Sequence, residues 1–265
     1  TNFSMNNLFN PKTYKGIIPQ GEGQTLTVSG QTNGRYYQSY SLSFMDPWFG
    51  GKRPNTLSAS AYFSYQTDIS DRYYGSSYMN PYSYGYGYGN SGYNNYYDPS
   101  YSFDPDKSIK MLGLSVGYGK RLSWPDDYFS FMLSLNYQLY MLKDWNYFII
   151  QNGNCNNINL DLTVQRSSID NPLYTRSGSE FTFSVSATPP YSLWDGVDYA
   201  NMKDNDGSKQ KWIEYHKWKF KGRVFTPLAP LSVKRTPVLM SRVEYGFVGH
   251  YDKNKRSPFE TFYMG

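Results

Sequence analysis

The sequence predicts an all-β chain: a transmembrane antiparallel up-and-down β-barrel, incomplete, with about nine membrane-crossing strands. Three observations carry this. Apolar and polar residues alternate with a period of two over stretches of about 10 residues, the length a tilted strand needs to cross a bilayer. Aromatic residues make up 19% of the 265, with 29 Tyr and 16 Phe, as expected where rings form girdles at two water–lipid interfaces. No run of about 18 apolar residues exists, so helical spans are excluded. A mean hydropathy of −0.68 fits a membrane barrel, because every second residue faces a polar lumen.

The strands follow in order. Leu26 and Val28 mark the first, and Tyr40, Leu42 and Phe44 the second. Leu57, Ala59, Ala61, Phe63 and Tyr65 alternate with Thr56, Ser58, Ser60 and Ser64. Leu112, Leu114, Val116 and Tyr118 alternate with small residues from Gly113 to Gly119. The longest pattern runs from Phe129 to Met141, with Ser130, Ser134, Asn136 and Gln138 on its other face. Ile158, Leu160, Leu162 and Val164 come next, then Phe181, Phe183 and Val185. In the segment from Trp212 to Phe225, the row Lys217, Lys219, Lys221 and Arg223 opposes Trp218, Phe220 and Val224. That row predicts a basic luminal wall; a solvated sheet face has the same geometry. Leu239, Val243, Tyr245 and Phe247 close the series. A soluble sandwich also alternates, but its strands average about 5–6 residues.

Connection lengths assign sides. Gly50–Pro54 and Leu122–Asp127 are short, and Arg166–Gly178 and Thr226–Pro237 intermediate. Between them lie long segments near 68–108, 142–155 and 188–211. Outer-membrane barrels have short periplasmic turns and long external loops, so the long segments are expected to be extracellular. The low-complexity run Tyr82–Asn90 is either a mobile surface loop or an adhesive platform, since Tyr offers large contact area at low entropy cost.

Other function classes find little support. The net charge of +5 is modest and scattered, without the basic stripe of a nucleic-acid module. Cys155 is the sole cysteine, which rules out an internal disulfide; it reads as an inert loop residue. His216 and His250 are too few and too far apart for a metal centre or for hydrolase chemistry. No catalytic residue, cofactor or metal ligand is expected. Asn2-Phe3-Ser4 fits a glycosylation sequon, a weak match. No signal peptide is present, so it has been removed or the chain starts inside a longer protein.

Several motifs resemble the barrel of the BamA family of outer-membrane protein insertases. The opening Asn2–Phe9 and Gly21–Gln24 resemble early barrel strands. Asp46, Pro47, Trp48 and Phe49 look like the family's acidic-Pro-aromatic strand end, followed by Gly51–Pro54 as its turn. Asp170–Ser179, with Tyr174, Arg176 and Gly178, resembles its Tyr-Pro-Thr-Arg-Gly turn, although Thr175 follows Tyr174 directly and the proline is missing. Residues 258–265, with Phe259, Glu260, Phe262 and Gly265, look like the lead-in to the sixth external loop, expected near 250–265. The resemblance covers nearly the whole chain and implies a partial barrel domain over 1–265, part of a complete barrel of about 16 strands within the bacterial range of 8–26. The family's periplasmic repeats, first strand, Arg-Gly-Phe motif and last strands lie outside this chain. A sheet with two bare edges in lipid exposes backbone groups at several kcal/mol each. This stretch is therefore expected to belong to a longer polypeptide or a split barrel.

The resemblance implies an outer-membrane assembly factor, the central subunit of a barrel assembly machinery. Expected partners are outer-membrane lipids, lipopolysaccharide, unfolded barrel clients, and accessory lipoproteins or surface-exposed subunits. Asp46, Pro47 and Trp48 would anchor a strand end, Arg176 and Gly178 shape a turn, and Glu260 and Phe262 seat the sixth loop. The rivals are a porin-like channel whose basic row selects anions, a TamA-like translocation barrel, and an adhesin using the Tyr/Gly loop.

Overall fold

The computed structural model describes residues 2–3, 23–51, 55–69, 103–145, 148, 150–203, 206–230, 232, 236–257 and 259–260. The Tyr/Gly run 82–90, most of the opening motif, residues 52–54, Phe262 and Gly265 lie outside them.

The described chain is one antiparallel sheet in strict sequence order. Its strands are β1 (Asn2–Phe3), β2 (Gln24–Asn33), β3 (Tyr37–Asp46), β4 (Asn55–Ile69), β5 (Phe103–Arg121), β6 (Phe129–Lys143), β7 (Gly153–Ser167), β8 (Gly178–Ala187), β9 (His216–Pro227) and β10 (Val238–Gly249). Apart from the two-residue β1, nine strands have 10 to 19 residues. Each pairs only with its neighbours in sequence, as an up-and-down barrel wall requires.

Register turns the alternating sequence into two faces. Leu26, Phe44, Ala59, Val116, Leu135 and Leu160 lie in one cross-strand row. Ser43, Ser60, Ser115, Asn136 and Asn159 form a row of the opposite parity. On the apolar face large side chains stand exposed: Val116 and Leu135 at 55%, Val243 at 54%. In water each would forfeit much of the about 1.5–3 kcal/mol its burial is worth; in a bilayer lipid covers it. Lys110 and Lys120 have outer-face parity near the two ends of the stretch over which β5 pairs with β6, Ser108–Arg121. They are ten residues apart, about 33 Å of strand at about 3.3 Å per residue. At a tilt of about 40° that is about 25 Å of height, matching the apolar band of membrane barrels.

Connections fall alternately at two edges. The β3–β4, β5–β6, β7–β8 and β9–β10 junctions lie at one, termed the turn edge. The β2–β3, β4–β5, β6–β7 and β8–β9 junctions and the end of β10 lie at the other, the loop edge. The strands run further into the long segments than expected. Register carries β6 and β7 up to Leu142↔Gly153, leaving only 144–152 as the connection. There Asp144 and Asn152 close the hairpin through Asp144 N–H to Asn152 Oδ1 at 2.8 Å and Asn152 Nδ2 to Asp144 Oδ1 at 2.6 Å. Cys155, expected in a loop, is a buried strand residue of β7. Trp212, expected to open a strand, instead forms a parallel bridge with Asn156, and β9 begins at His216.

The main packed core sits at the loop edge. Ile109, Leu142, Trp145, Ile150, Cys155, Ile213 and Tyr215 are buried together, with Met111, Tyr140, Phe148 and Phe259 against them. Its strand members share the parity of the polar face, so this cluster covers that face where the strands end.

Candidate functional site

The polar face of β6–β10 and the segment lying on it form the candidate site. Parity puts Lys217, Lys219, Lys221 and Arg223 in one row along β9, and the neighbouring strands supply acids. Glu180 of β8 contacts Arg223 and accepts from Gln165 Nε2 at 2.7 Å. Glu244 of β10 receives Lys221 at 3.2 Å and Arg242 at 2.8 Å. Lys217 reaches Glu260 at 3.2 Å, across the gap between wall and C-terminal segment. Lys217 and Lys219 line a cavity of about 360 Å3 with Asn136, Asn159, Asp161 and Glu260. Asn136 Nδ2 donates to Asn159 at 2.8 Å and Asp161 at 2.7 Å. Three of the row's four cations are thus ion-paired, and Lys217 and Lys219 line the polar hollow. The pairs remain partly exposed, so each is worth about 0.2–1 kcal/mol; they set orientation more than stability.

Besides Glu260, three side chains seat the C-terminal segment. Phe259 stacks on Tyr140 at 4.9 Å and meets Phe148 edge-on at 5.1 Å. Tyr251 donates its hydroxyl to the Thr188 carbonyl at 3.1 Å. Lys255, 1% exposed, enters the 188–215 connection: its Nζ lies 2.9 Å from the Tyr199 hydroxyl, 3.4 Å from Glu214 and 4.0 Å from Asp195. Its ammonium also sits 4.3 Å from the Tyr199 ring centre. Glu214, fully buried, accepts a 2.8 Å hydrogen bond from Ser192 N–H. Burial, with the Asp195 hydrogen bond and charge, raises the Tyr199 hydroxyl well above its usual range. At Asp195 burial pushes upward, but the Tyr199 hydrogen bond, a backbone N–H and the Lys255 charge outweigh it and hold the carboxyl low. A buried lysine ringed by acids and a phenol ties two loop-edge segments into one body.

At the turn edge, Asp46 ends β3: its carboxylate accepts from Trp48 N–H and from Gln24 Nε2, each at 2.9 Å. Pro47 follows beside Gly23, and the exposed Trp48 and Phe49 stand on the same edge as the exposed Trp124, Tyr128 and Tyr174. Asp170 organises the 168–177 turn by accepting the backbone N–H groups of Arg176 at 2.9 Å and Ser177 at 3.2 Å. Those bonds hold its carboxyl below the usual range. Arg176 reaches across to Thr236 Oγ1 at 3.0 Å. Gly178 takes φ +109°, and a Cβ there would lie 2.2 Å from the Ser168 carbonyl oxygen.

The expected residues therefore fall into two groups. The basic row, Phe259 and Glu260 come together at the polar face and loop edge; Asp46 to Phe49 and Tyr174 to Gly178 lie at the opposite edge. The Lys255–Glu214 pair and the buried Trp145 and Ile150 were missed. A lone Lys between polar neighbours reads like any exposed charge, and neither segment has a period.

The sequence matches the Omp85 superfamily domain over residues 20–265. Compared with curated protein sequences, it matches none. Among solved structures it is similar to BamA from Haemophilus ducreyi lacking POTRA domains 1–3, with a TM-score of 0.54 and 15% identity. That alignment covers 91% of this chain and 38% of the other, so this chain spans well under half of its structural relative. At such identity the likeness is one of fold.

Proposed function

This chain belongs to the Omp85 superfamily, and from that premise we propose that it is the larger N-terminal part of the barrel of a BamA-type assembly factor, which folds and inserts β-barrel proteins into the outer membrane. The supporting observation is the C-terminal segment held on the polar face by Lys217–Glu260 and Phe259–Tyr140, beneath a packed apolar cluster at the loop edge. A diffusion channel needs an open, wetted path along that face. Here tightly packed rings and a bound strap occupy its loop-edge end, which favours a wall that supports folding over one that conducts solute.

The work proposed is non-covalent. A client strand pairs its backbone with a barrel edge, so that its N–H and C=O groups are satisfied before they meet lipid. The residues of the site hold and orient; none performs bond chemistry. Unfolded barrel precursors are the proposed clients. Accessory lipoproteins or surface-exposed subunits, and lipids including lipopolysaccharide, are the proposed partners, with the loop edge extracellular.

Depletion of the full-length protein in its host, followed by quantitative proteomics of the outer membrane, tests this. A joint fall of many unrelated β-barrels, with precursors accumulating in the periplasm, is expected. Loss of a single secreted or translocated client would favour a TamA-like role instead, and loss of one solute's uptake with steady barrels would overturn the proposal.

A further inference from the structure

The β8–β9 connection carries apolar side chains outward at the loop edge. Leu193 is 72% exposed, Trp194 65% and Val197 46%, while polar groups of the same segment turn inward. Ser192 gives its N–H to the fully buried Glu214 at 2.8 Å. Asp195 accepts from Val197 N–H at 3.1 Å and contacts the Tyr199 hydroxyl. The backbone donors behave alike. Tyr191 N–H reaches the Pro189 carbonyl at 3.0 Å and Leu193 N–H the Pro190 carbonyl at 3.1 Å. Trp194 and Asp195 both donate to the Tyr191 carbonyl, at 3.1 and 3.0 Å. A loop in water leaves such groups to solvent. A segment touching hydrocarbon must satisfy them internally.

Face and height place this surface against the bilayer. Trp212 forms a parallel bridge with Asn156, so its side chain lies on the face of the sheet that Asn156 occupies. Alternation along β7 puts that face with Ile158 and the lipid-side Leu160. Tyr191 packs on Trp212 at 5.2 Å and on Trp194 at 6.5 Å between ring centres, which continues the outer face of the wall into the connection. Height follows from β9. Its 12 residues rise about 30 Å at about 3.3 Å per residue and a tilt of about 40°, so the apolar band of about 25 Å ends near His216. Trp212 and the segment 191–197 packed beside it lie just past that margin, where Trp and Tyr favour the water–lipid boundary. We propose that residues 191–197 are immersed in the bilayer interface at the loop edge, with Leu193, Trp194 and Val197 covered by lipid acyl chains. The same segment holds Lys255 through Asp195, so lipid contact and the seating of the C-terminal segment act on one loop. This placement rests on the membrane wall and not on the assembly role.

Spin labelling of the full-length protein in phosphatidylcholine nanodiscs tests it. Leu193→Cys and Val197→Cys each receive a nitroxide. Leu135→Cys is the lipid-facing reference, and Lys253→Cys, exposed on the segment after β10, the aqueous one. The unsubstituted protein, whose Cys155 is buried, is the labelling blank. Collisions with molecular oxygen, which concentrates in lipid, are compared with those of a nickel chelate, which stays in water. For Leu193→Cys and Val197→Cys the oxygen-to-chelate ratio is expected well above that of Lys253→Cys and approaching that of Leu135→Cys. A ratio equal to that of Lys253→Cys overturns the proposal, and so does shielding from both reagents, which marks burial against protein. If Leu135→Cys also favours the chelate, the membrane wall fails and this placement with it. Lipid contact at Leu135→Cys with water at Leu193→Cys and Val197→Cys refutes the placement alone.

Discussion

At the residue scale, three positions act through physics that pattern alone does not show. Gly178 combines a left-handed φ with a backbone oxygen where a Cβ would sit, so Gly178→Ala should cost about 1–3 kcal/mol or more, seen as a lower unfolding temperature of the full-length protein in detergent. An unchanged temperature would contradict the turn geometry. Lys255 is buried against Glu214 and Asp195. Lys255→Met leaves the buried Glu214 carboxylate uncompensated and should cost about 3–5 kcal/mol, read as faster proteolysis within 188–215; a wild-type digestion rate would mean the pair does not clamp these segments. Asp170 has a depressed carboxyl because it accepts backbone hydrogen bonds. A folded value below the unfolded one, about 3.9, means the turn's stabilisation is present above about pH 4. It is lost as pH falls through the folded value. The Arg176 and Ser177 amide resonances should therefore shift only below about pH 4, and not at all in Asp170→Ala.

At the element scale, the sheet's two faces follow from the period of two, but their solvents differ. A cation at the centre of the lipid face costs about 2–4 kcal/mol, whereas the polar face accommodates charge. Leu135→Arg should therefore reduce insertion strongly, while Ser134→Arg, one residue along β6 and on the opposite face, should insert nearly as wild type. Equal effects of the two would argue against a membrane wall. Arg166 shows how a charge is tolerated at the margin of the lipid face. It lies at the turn edge, pairs with Asp126 at 2.9 Å and stands over the Tyr128 ring at 5.5 Å. Gly113 illustrates packing on the other face, where a Cβ would lie 2.0 Å from the Tyr62 ring. At Gly113 a side chain would take the space that the ring from the neighbouring strand occupies.

For the whole molecule, the loop-edge cluster and the strap that carries Phe259 and Glu260 decide what the polar face is available for. If they obstruct the lumen, the full-length protein in planar bilayers should conduct little, and Phe259→Ala, which removes the ring stacked on Tyr140, should conduct more. Equal conductance would place the obstruction elsewhere. Conduction by the wild type at the level of an open porin would count against an assembly role altogether.

The sequence by itself determined the wall. Alternation from Leu26 to Phe247 set nine long strands, their two faces and the lipid-facing side, because side-chain direction in a strand depends only on position. The strand end at Asp46-Pro47 and the turn at Asp170–Gly178 were named by family resemblance alone; their hydrogen bonds and the positive φ of Gly178 come from the structure. Only the tertiary structure decided how the aperiodic segments fold. Cys155 moved from loop to core and Trp212 from strand to bridge because register and long-range pairing reached beyond the periodic stretches. Lys217 met Glu260, and Lys255 met Glu214, across 43 and 41 residues respectively, and no local rule specifies a contact that distant. The basic row was visible as a row; what neutralises it was not, because a cation's partner is chosen by proximity in space.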